Sequence, residues 1–242
     1  MKLITLNIWG GQLREPLLDF LHRHRDVDIF CLQEVYYNAK KMITEEDRSV
    51  SLNIFSQIMQ TLPEHQGYFC PAVNGIYGIA KLVHHSVPTH ASGELPIYIN
   101  AEYTGIGPSH NRLLQWIDCG AEQSRYTVIN VHGLWNGKGK SDSPDRIAQS
   151  QKIKEFIQQS RNPVVLCGDF NLRPDTKSLE ILDSDMKNLI HDYQIKSTRT
   201  SYYPKQERFA DYILLSPDLV VHDFEVLQDE VSDHNALYVE FE

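Results

Sequence analysis

The chain has 242 residues, 41% hydrophobic and 23% charged, with no apolar run of membrane-spanning length, and so reads as an ordinary soluble globular protein. Its formal net charge of −9 argues against gripping nucleic acid through a broad basic surface, although a metal site can reverse the sign locally. No linker-like stretch interrupts it, so residues 1–242 are expected to form a single domain.

The opening strand, Lys2 to Trp9, carries Asn7, and Gly10-Gly11 permits a sharp exit. There is no long apolar segment with a cleavage site at the start, so no secretion signal and a cytoplasmic setting are expected. Leu17, Leu18 and Leu21 give one apolar face of a short helix entered through Pro16, and Asp28 to Glu34 follows as a second buried strand. Strand, helix and strand in so short a span make a βαβ unit, with Asn7 and Glu34 near the ends of parallel strands. Apolar residues at helical spacing then predict a core-facing helix from Arg48 to Leu62. Tyr68 to Val73, Gly75 to Val83, Glu94 to Asn100 and Arg112 to Cys119 read as shorter strands, and Tyr103 to Asn111 as a loop.

Tyr126 to His132 starts a second round of the same plan. A helix from Pro144 to Gln159, capped by Ser143, should turn Ile147, Ile153, Phe156 and Ile157 inward, and the strand through Pro163-Val164-Val165-Leu166-Cys167-Gly168 ends at Asp169. There Asp169 and Asn171 emerge at a strand's C-terminal end, where open α/β sheets place their chemistry. A short helix near Ser178 to Leu182, a polar loop from Thr198 to Arg208, and strands Phe209 to Leu215, Val220 to Val226 and Ala236 to Phe241 complete the chain. Two packed sheets with helices outside are expected, with the polar groups gathered along one end. Cys31, Cys70, Cys119 and Cys167 are far apart and lack metal spacing, which suits core thiols in a reducing compartment.

Polar residues at the boundaries of apolar strands stand out: Asn7, Glu34, His132, Asp169, Asn171, Asp211, Asp233 and His234. Singly, each has an ordinary explanation as a turn residue, a solvated carboxylate or a satisfied core histidine. Together their oxygen-rich set suits Mg²⁺ or Mn²⁺ better than Zn²⁺, and a hard cation implies a phosphate substrate. An imidazole kept cationic by a second carboxylate would stabilise a phosphoryl oxygen.

Leu6-Asn7-Ile8-Trp9, Leu32-Gln33-Glu34-Val35, Asn130-Val131-His132, Gly168-Asp169-Phe170-Asn171, Phe209-Ala210-Asp211-Tyr212-Ile213 and Ser232-Asp233-His234 resemble, in order, the motifs of the endonuclease/exonuclease/phosphatase superfamily. The resemblance implies an α/β fold, a four-layer sandwich of two packed mixed β-sheets flanked by helices, as in DNase I. It also implies a Mg²⁺-dependent phosphoric ester hydrolase. Glu34 is then the main metal ligand, with Asn7 and Asp233 in support. Asp169 activates or orients water, Asn171 positions it, and His132 and His234, the latter paired with Asp211, stabilise phosphate charge or assist the leaving group. His132 matches nucleases of the DNase I kind, sphingomyelinases and tyrosyl-DNA phosphodiesterases, so abasic-site cleavage is less expected; no carboxylate near Gly75 to Ala80 offers His132 a partner.

Substrate should be read by loops at the same edge, where basic and aromatic residues interleave: Tyr36, Tyr37, Lys40 and Lys41, then Trp135, Asn136, Lys138 and Lys140, then Arg173, then Tyr202, Tyr203 and Lys205. Of these, Tyr36, Trp135, Lys138, Arg173 and Tyr203 are the expected contacts. The expected activity is cleavage of a phosphodiester, in nucleic acid or a nucleotide-linked phosphoester. The alternatives are a small or lipid-derived phosphoester as substrate, and a catalytically silent binding module of the same fold. Neither membrane insertion nor an obligate protein partner is implied.

Overall fold

A computed structural model describes residues 1–41 and 50–242. In chain order the elements are β1 (Lys2–Asn7), α1 (Arg14–Arg23), β2 (Ile29–Tyr36), α2 (Ile54–Thr61), β3 (His65–Val73), β4 (Tyr77–His84), β5 (Thr89–Tyr98) and β6 (Arg112–Ala121). There follow β7 (Ser124–His132), α3 (Pro144–Gln159), β8 (Val164–Asp169), α4 (Lys177–Asp183), β9 (Lys187–Asn188), α5 (Leu189–Asp192), β10 (Asp211–Leu215), β11 (Val221–Val226) and β12 (Leu237–Phe241). The expected helix from Arg48 shows only its later part, as α2; Arg48 itself lies outside the described residues. No described helix is long and apolar enough to cross a membrane.

The strands form two six-stranded mixed sheets, ordered β11-β12-β1-β2-β4-β3 and β5-β6-β7-β8-β10-β9. Each has one parallel pair at its centre, β1 with β2 and β7 with β8, as the two βαβ units require. One core, built from Leu17, Phe20, Ile54 and Ile58 against Leu6, Phe30 and Leu32, joins α1 and α2 to the first sheet. The other packs the sheets together and seats α3, α4 and α5 on the second through Ile153, Leu179 and Leu189. This is the four-layer sandwich the motifs implied.

The seam between the sheets is not wholly apolar. Gln33 Nε2 donates to Asn130 Oδ1 at 2.7 Å and to Thr5 Oγ1 at 3.1 Å, while Asn130 Nδ2 donates to the carbonyls of Leu32 and Ala80. Farther from the site, the fully buried Lys81 of β4 donates to the carbonyls of Gln115 at 2.8 Å and Val128 at 2.5 Å on the opposite sheet. Such polar crossings fix the relative register of two faces that apolar packing alone would leave free to slide. All four cysteines are free and buried.

Helix α3 differs in its packing from the amphipathic pattern expected of it. Ile153 is buried, but Ile147, Phe156 and Ile157 are only half-buried, and Arg146, Gln149 and Ser150 are the other residues buried most deeply. The reason is the loop after His132. Arg146 donates to the carbonyls of Leu134, Gly139 and Ser141, and Gln149 Oε1 accepts from the Leu134 amide at 2.9 Å. The helix therefore uses polar side chains to shape a loop that borders the site.

Burial pushes the Lys81 ammonium down to about 8 from an ordinary 10.5. Between those values the unfolded chain holds a proton that the folded one has released, so this residue's contribution to stability rises with pH. Wild type is expected to gain stability over Lys81→Met as pH rises through that window, measured by urea unfolding at matched pH. A flat difference would show that Lys81 keeps its proton in the fold.

Candidate functional site

Sheet register does most of the assembly. At the end of the second sheet, His132 of β7 pairs with Asp169 of β8, and Asp169 pairs with Asp211 of β10, so three polar residues stand abreast on adjacent strands. Gly168 makes this approach feasible: at φ +135° it lets β8 pass so close to Val131 that a Cβ would lie 2.0 Å from that carbonyl oxygen. On the first sheet, the β2 register slips between Leu32 and Val35, and Glu34 sits in this bulge at φ +59°. A bulge re-aims a side chain, and the left-handed backbone at a non-glycine residue is strain of the kind found at functional sites. Asn171, at φ +53°, shares that conformation.

Asn7 joins the two sheets. Its Nδ2 donates to Glu34 Oε1 and to Asp169 Oδ2, each at 3.0 Å, and its Oδ1 accepts the Trp9 amide. Asp169 is engaged at both oxygens, for Oδ1 accepts the Asn171 amide at 2.8 Å while Oδ2 also lies 3.7 Å from Nε2 of His132 and of His234. His234 Nδ1 lies 2.8 Å from Asp211 Oδ1, and Thr198 donates to the other Asp211 oxygen. Asp233 lies beside His234 and accepts from Arg199 Nη1 at 3.2 Å.

These neighbours set the charges. Burial alone would raise the Asp169 carboxyl, but the positive charges around it, His234 first and then Lys140 and Arg199, hold it well below the usual carboxylate range. Burial and Arg199 push His234 down, yet Asp211, Asp233 and Asp169 outweigh them and leave it above its ordinary value. His132 goes the opposite way, because burial and the Arg112 guanidinium depress it well below normal and keep its imidazole neutral. Glu34 is raised by burial, with Asp233 and Asp169 adding to it against the Asn7 hydrogen bond and the His234 charge. The site thus favours the proton on one imidazole and disfavours it on the other, on either side of an ionised carboxylate. Asp169, Asp211 and His234 present ligand atoms within 4.8 Å of one another, a group able to take a metal ion.

Glu34, His132, Asp169, Asn171, Asp233 and His234 line one cleft of about 370 Å³, beneath which Asn7 and Asp211 are buried. Of the expected substrate contacts, Tyr36, Trp135 and Tyr203 line it too. Lys138 is exposed outside it, and Arg173 points to solvent in a bidentate pair with Asp175. Tyr37 packs between Phe55 and Phe69, so it serves the core, and the side chain of Lys41 lies outside the described residues.

Sequence reasoning missed two arginines. Arg112 opens β6 and is buried against the cleft, with Nε and Nη1 lacking a hydrogen-bond partner among the described residues. An unpaired buried guanidinium is costly unless a ligand completes it. Arg199 reaches the cleft from the loop before β10. Nothing in their sequence surroundings marks either one; only a basic residue at a strand boundary hints at Arg112.

If the Asn7 amide holds the two carboxylates, Asn7→Ala should lower stability by about 1–3 kcal/mol, read from urea unfolding in EDTA. An unchanged midpoint would mean that the sheets are fixed without it.

The model of the Endonuclease/Exonuclease/phosphatase family matches residues 4–234. A search of curated proteins by sequence returned no match. Among solved structures, an endonuclease/exonuclease/phosphatase protein from Bacteroides vulgatus superposes with TM-score 0.73 at 18% identity, covering 100% of this chain and 98% of its own. A mannosyl-6-phosphatase from Bacteroides thetaiotaomicron gives 0.75 at 17%, covering 100% and 99%. The human nocturnin catalytic domain gives 0.69 at 18%, covering 100% and 93%. At such identities the structures speak to the fold, and the family match over nearly the whole chain, on the same two-sheet sandwich, makes this protein a member of the endonuclease/exonuclease/phosphatase family of phosphoester hydrolases.

Proposed function

We propose that this chain is a Mg²⁺-dependent hydrolase that cleaves phosphodiester bonds in nucleic acid or a nucleotide-linked phosphoester by attack of water. The observation that carries this reading is the convergence of Asn7, Glu34, His132, Asp169, Asp211 and His234, from six separate segments, at the floor of one cleft.

The donor set fits a hard divalent cation. Glu34 faces Asp169 and Asp233, and among the described residues receives only the Asn7 amide as a hydrogen bond and has no ion-pair neighbour but neutral His132 at 3.9 Å. Glu34 and Asp233, supported by Asn7, would hold Mg²⁺ or Mn²⁺ there through oxygen, the ligand type those ions prefer. Bound, the ion supplies charge neutralisation at a phosphoryl oxygen and acidifies water.

Asp169 orients the attacking water; held so far down, it is a weak proton acceptor, so placement rather than basicity is its contribution. Asn171 flanks that water position: its amide nitrogen is tied to the Gly133 carbonyl at 3.3 Å, while its Oδ1 accepts no hydrogen bond from the described residues. Cationic His234, braced by Asp211, and neutral His132 donate to the phosphate oxygens, and Arg112 adds the unpaired guanidinium. Four buried free thiols suit a reducing, cytoplasmic setting. A second reading, a phosphatase of small phosphoesters, draws support from the modest volume of the cleft and from the Bacteroides mannosyl-6-phosphatase neighbour.

Hydrolysis of bis-p-nitrophenyl phosphate and p-nitrophenyl phosphate is the direct test. Diester turnover should require Mg²⁺, vanish in EDTA and fall by about 100-fold or more in Asp169→Asn. Turnover of the monoester alone would favour the phosphatase reading, and none with either would point to a silent module. Arg112→Met is expected to lower kcat/KM by about 100-fold; full activity in that variant would assign the guanidinium to packing.

A further inference from the structure

Beside the catalytic row stands a group of cations that the hydrolysis step does not use. Lys140, Arg199 and Lys205 line one wall of the cleft, interleaved with Trp135 and Tyr203. The Arg199 guanidinium lies 4.0 Å from the Tyr203 ring centroid, Lys140 Nζ 5.4 Å from the same ring, and Lys205 Nζ 5.2 Å over Trp135. Resting on the phosphoester hydrolysis proposed above, the geometry points to a second anion subsite: this wall receives a further phosphate of the substrate, one nucleoside or sugar ring away from the scissile phosphate.

The first argument is the count of unsatisfied donors. Of the five N–H groups of Arg199, one goes to Asp233, and Nε is buried with no partner. Lys140, itself buried, uses one of three, on the carbonyl of Phe209 at 3.0 Å. Lys205 has no carboxylate within ion-pair distance among the described residues and rests on a ring. Among the described residues only Asp233 is in ion-pair contact with any of the three cations, while Asp169, Asp211 and Glu207 act on Lys140 from beyond contact distance. A purely structural cluster would be neutralised internally, since a buried charge is costly without a partner. Burial, and then Arg199, lower the Lys140 ammonium to about 8, a strain that an incoming anion would relieve.

The second argument is position. The row across the second sheet runs His132 on β7, Asp169 on β8 and Asp211 on β10, with Arg112 at the start of β6 on the far side of β7. The cationic wall lies past the Asp211 end: Arg199 bridges to His234, and Lys140 bonds Phe209, two residues before Asp211. Strands are about 4.8 Å apart, so the wall stands about 5–10 Å from a phosphate over β7 and β8. A nucleoside or sugar ring spans that gap, and a single phosphate does not. The wall is also built rather than draped. The Arg199 amide is fixed by Ser197 Oγ at 3.0 Å and its carbonyl by Asn235 Nδ2 at 3.2 Å, while Lys140 sits in the loop that Arg146 holds. The two aromatic rings offer stacking faces for the ring between the phosphates.

The test is calorimetric binding to Asp169→Asn protein in Mg²⁺, so that turnover is not needed. A dinucleoside monophosphate is compared with the same molecule carrying a terminal phosphate at either end, and a nucleoside 5′-monophosphate with the 3′,5′-bisphosphate. The second phosphate should tighten binding by about 10-fold, less at high salt, and the gain should fall to about 2-fold or less when Lys140→Met and Lys205→Met are added. Lys205→Met alone, an exposed change that cannot compromise folding, should remove part of the gain. A preference for the dinucleotide pair would identify an oligonucleotide end as the source, and one confined to the bisphosphate pair a free small molecule. Equal affinities with and without the second phosphate, or a gain that survives in the lysine variants, would overturn the subsite. Wild-type turnover reports separately on the hydrolase reading: a binding preference without any turnover keeps the subsite and removes the hydrolase, and turnover with equal affinities does the reverse.

Discussion

One side-chain amide carries the constraint on which the site depends. Asn7 lies at the end of β1 in the first sheet, yet its Nδ2 is shared between Glu34 of the same sheet and Asp169 of the other. Two carboxylates facing each other in a buried cleft repel, and burial raises the penalty. An amide donor between them lowers that penalty and sets their spacing without adding charge. The backbone of Asn7 is held in turn, for Ser232 donates to its carbonyl at 2.6 Å, which ties the Ser232-Asp233-His234 segment to the same point. The polar seam of Thr5, Gln33 and Asn130 lies immediately behind, so the sheets are locked together where the chemistry requires them to be.

The charges around that bridge are opposed in pairs. His132 and His234 approach the same oxygen of Asp169 at 3.7 Å each, but only His234 has a second carboxylate bonded behind it, whereas His132 has Arg112 nearby. Identical side chains are therefore pushed in opposite directions by their surroundings, and the proposed reaction draws on both: a positive charge toward phosphate, and a neutral donor. The acidic group at Glu34, with no lysine or arginine in ion-pair contact among the described residues, is the counterpart that a divalent ion would complete.

Helix α3 shows how scaffold and site are coupled. Its Arg146 and Gln149 are spent on loop carbonyls and an amide rather than on apolar packing. That loop carries Trp135 and Lys140 to the cleft, and Lys140 continues the chain of contacts to the carbonyl just ahead of β10. The wall of the cleft is thus held from beneath by polar contacts that hydrophobic periodicity does not register.

By itself the sequence determined the order of the longer elements, the two βαβ halves, the boundaries of α3 with its Ser143 cap, and the strands that carry Asn7, Glu34, His132, Asp169 and Asp211, but not the short β9 and α5. These are local matters of period, capping and strand punctuation, legible within a window of a dozen residues. Tertiary structure alone decided which strand ends meet, because the pairing of His132, Asp169 and Asp211 depends on register across β7, β8 and β10. It also decided the bulge that turns Glu34, the burial of Tyr37 among aromatics, the outward pair of Arg173 with Asp175, and the arrival of Arg112 and Arg199 at the cleft. A basic or aromatic residue reads alike in a sequence whether it faces water, core or substrate. The difference lies in contacts between segments far apart in the chain, which long-range packing creates and local pattern does not encode.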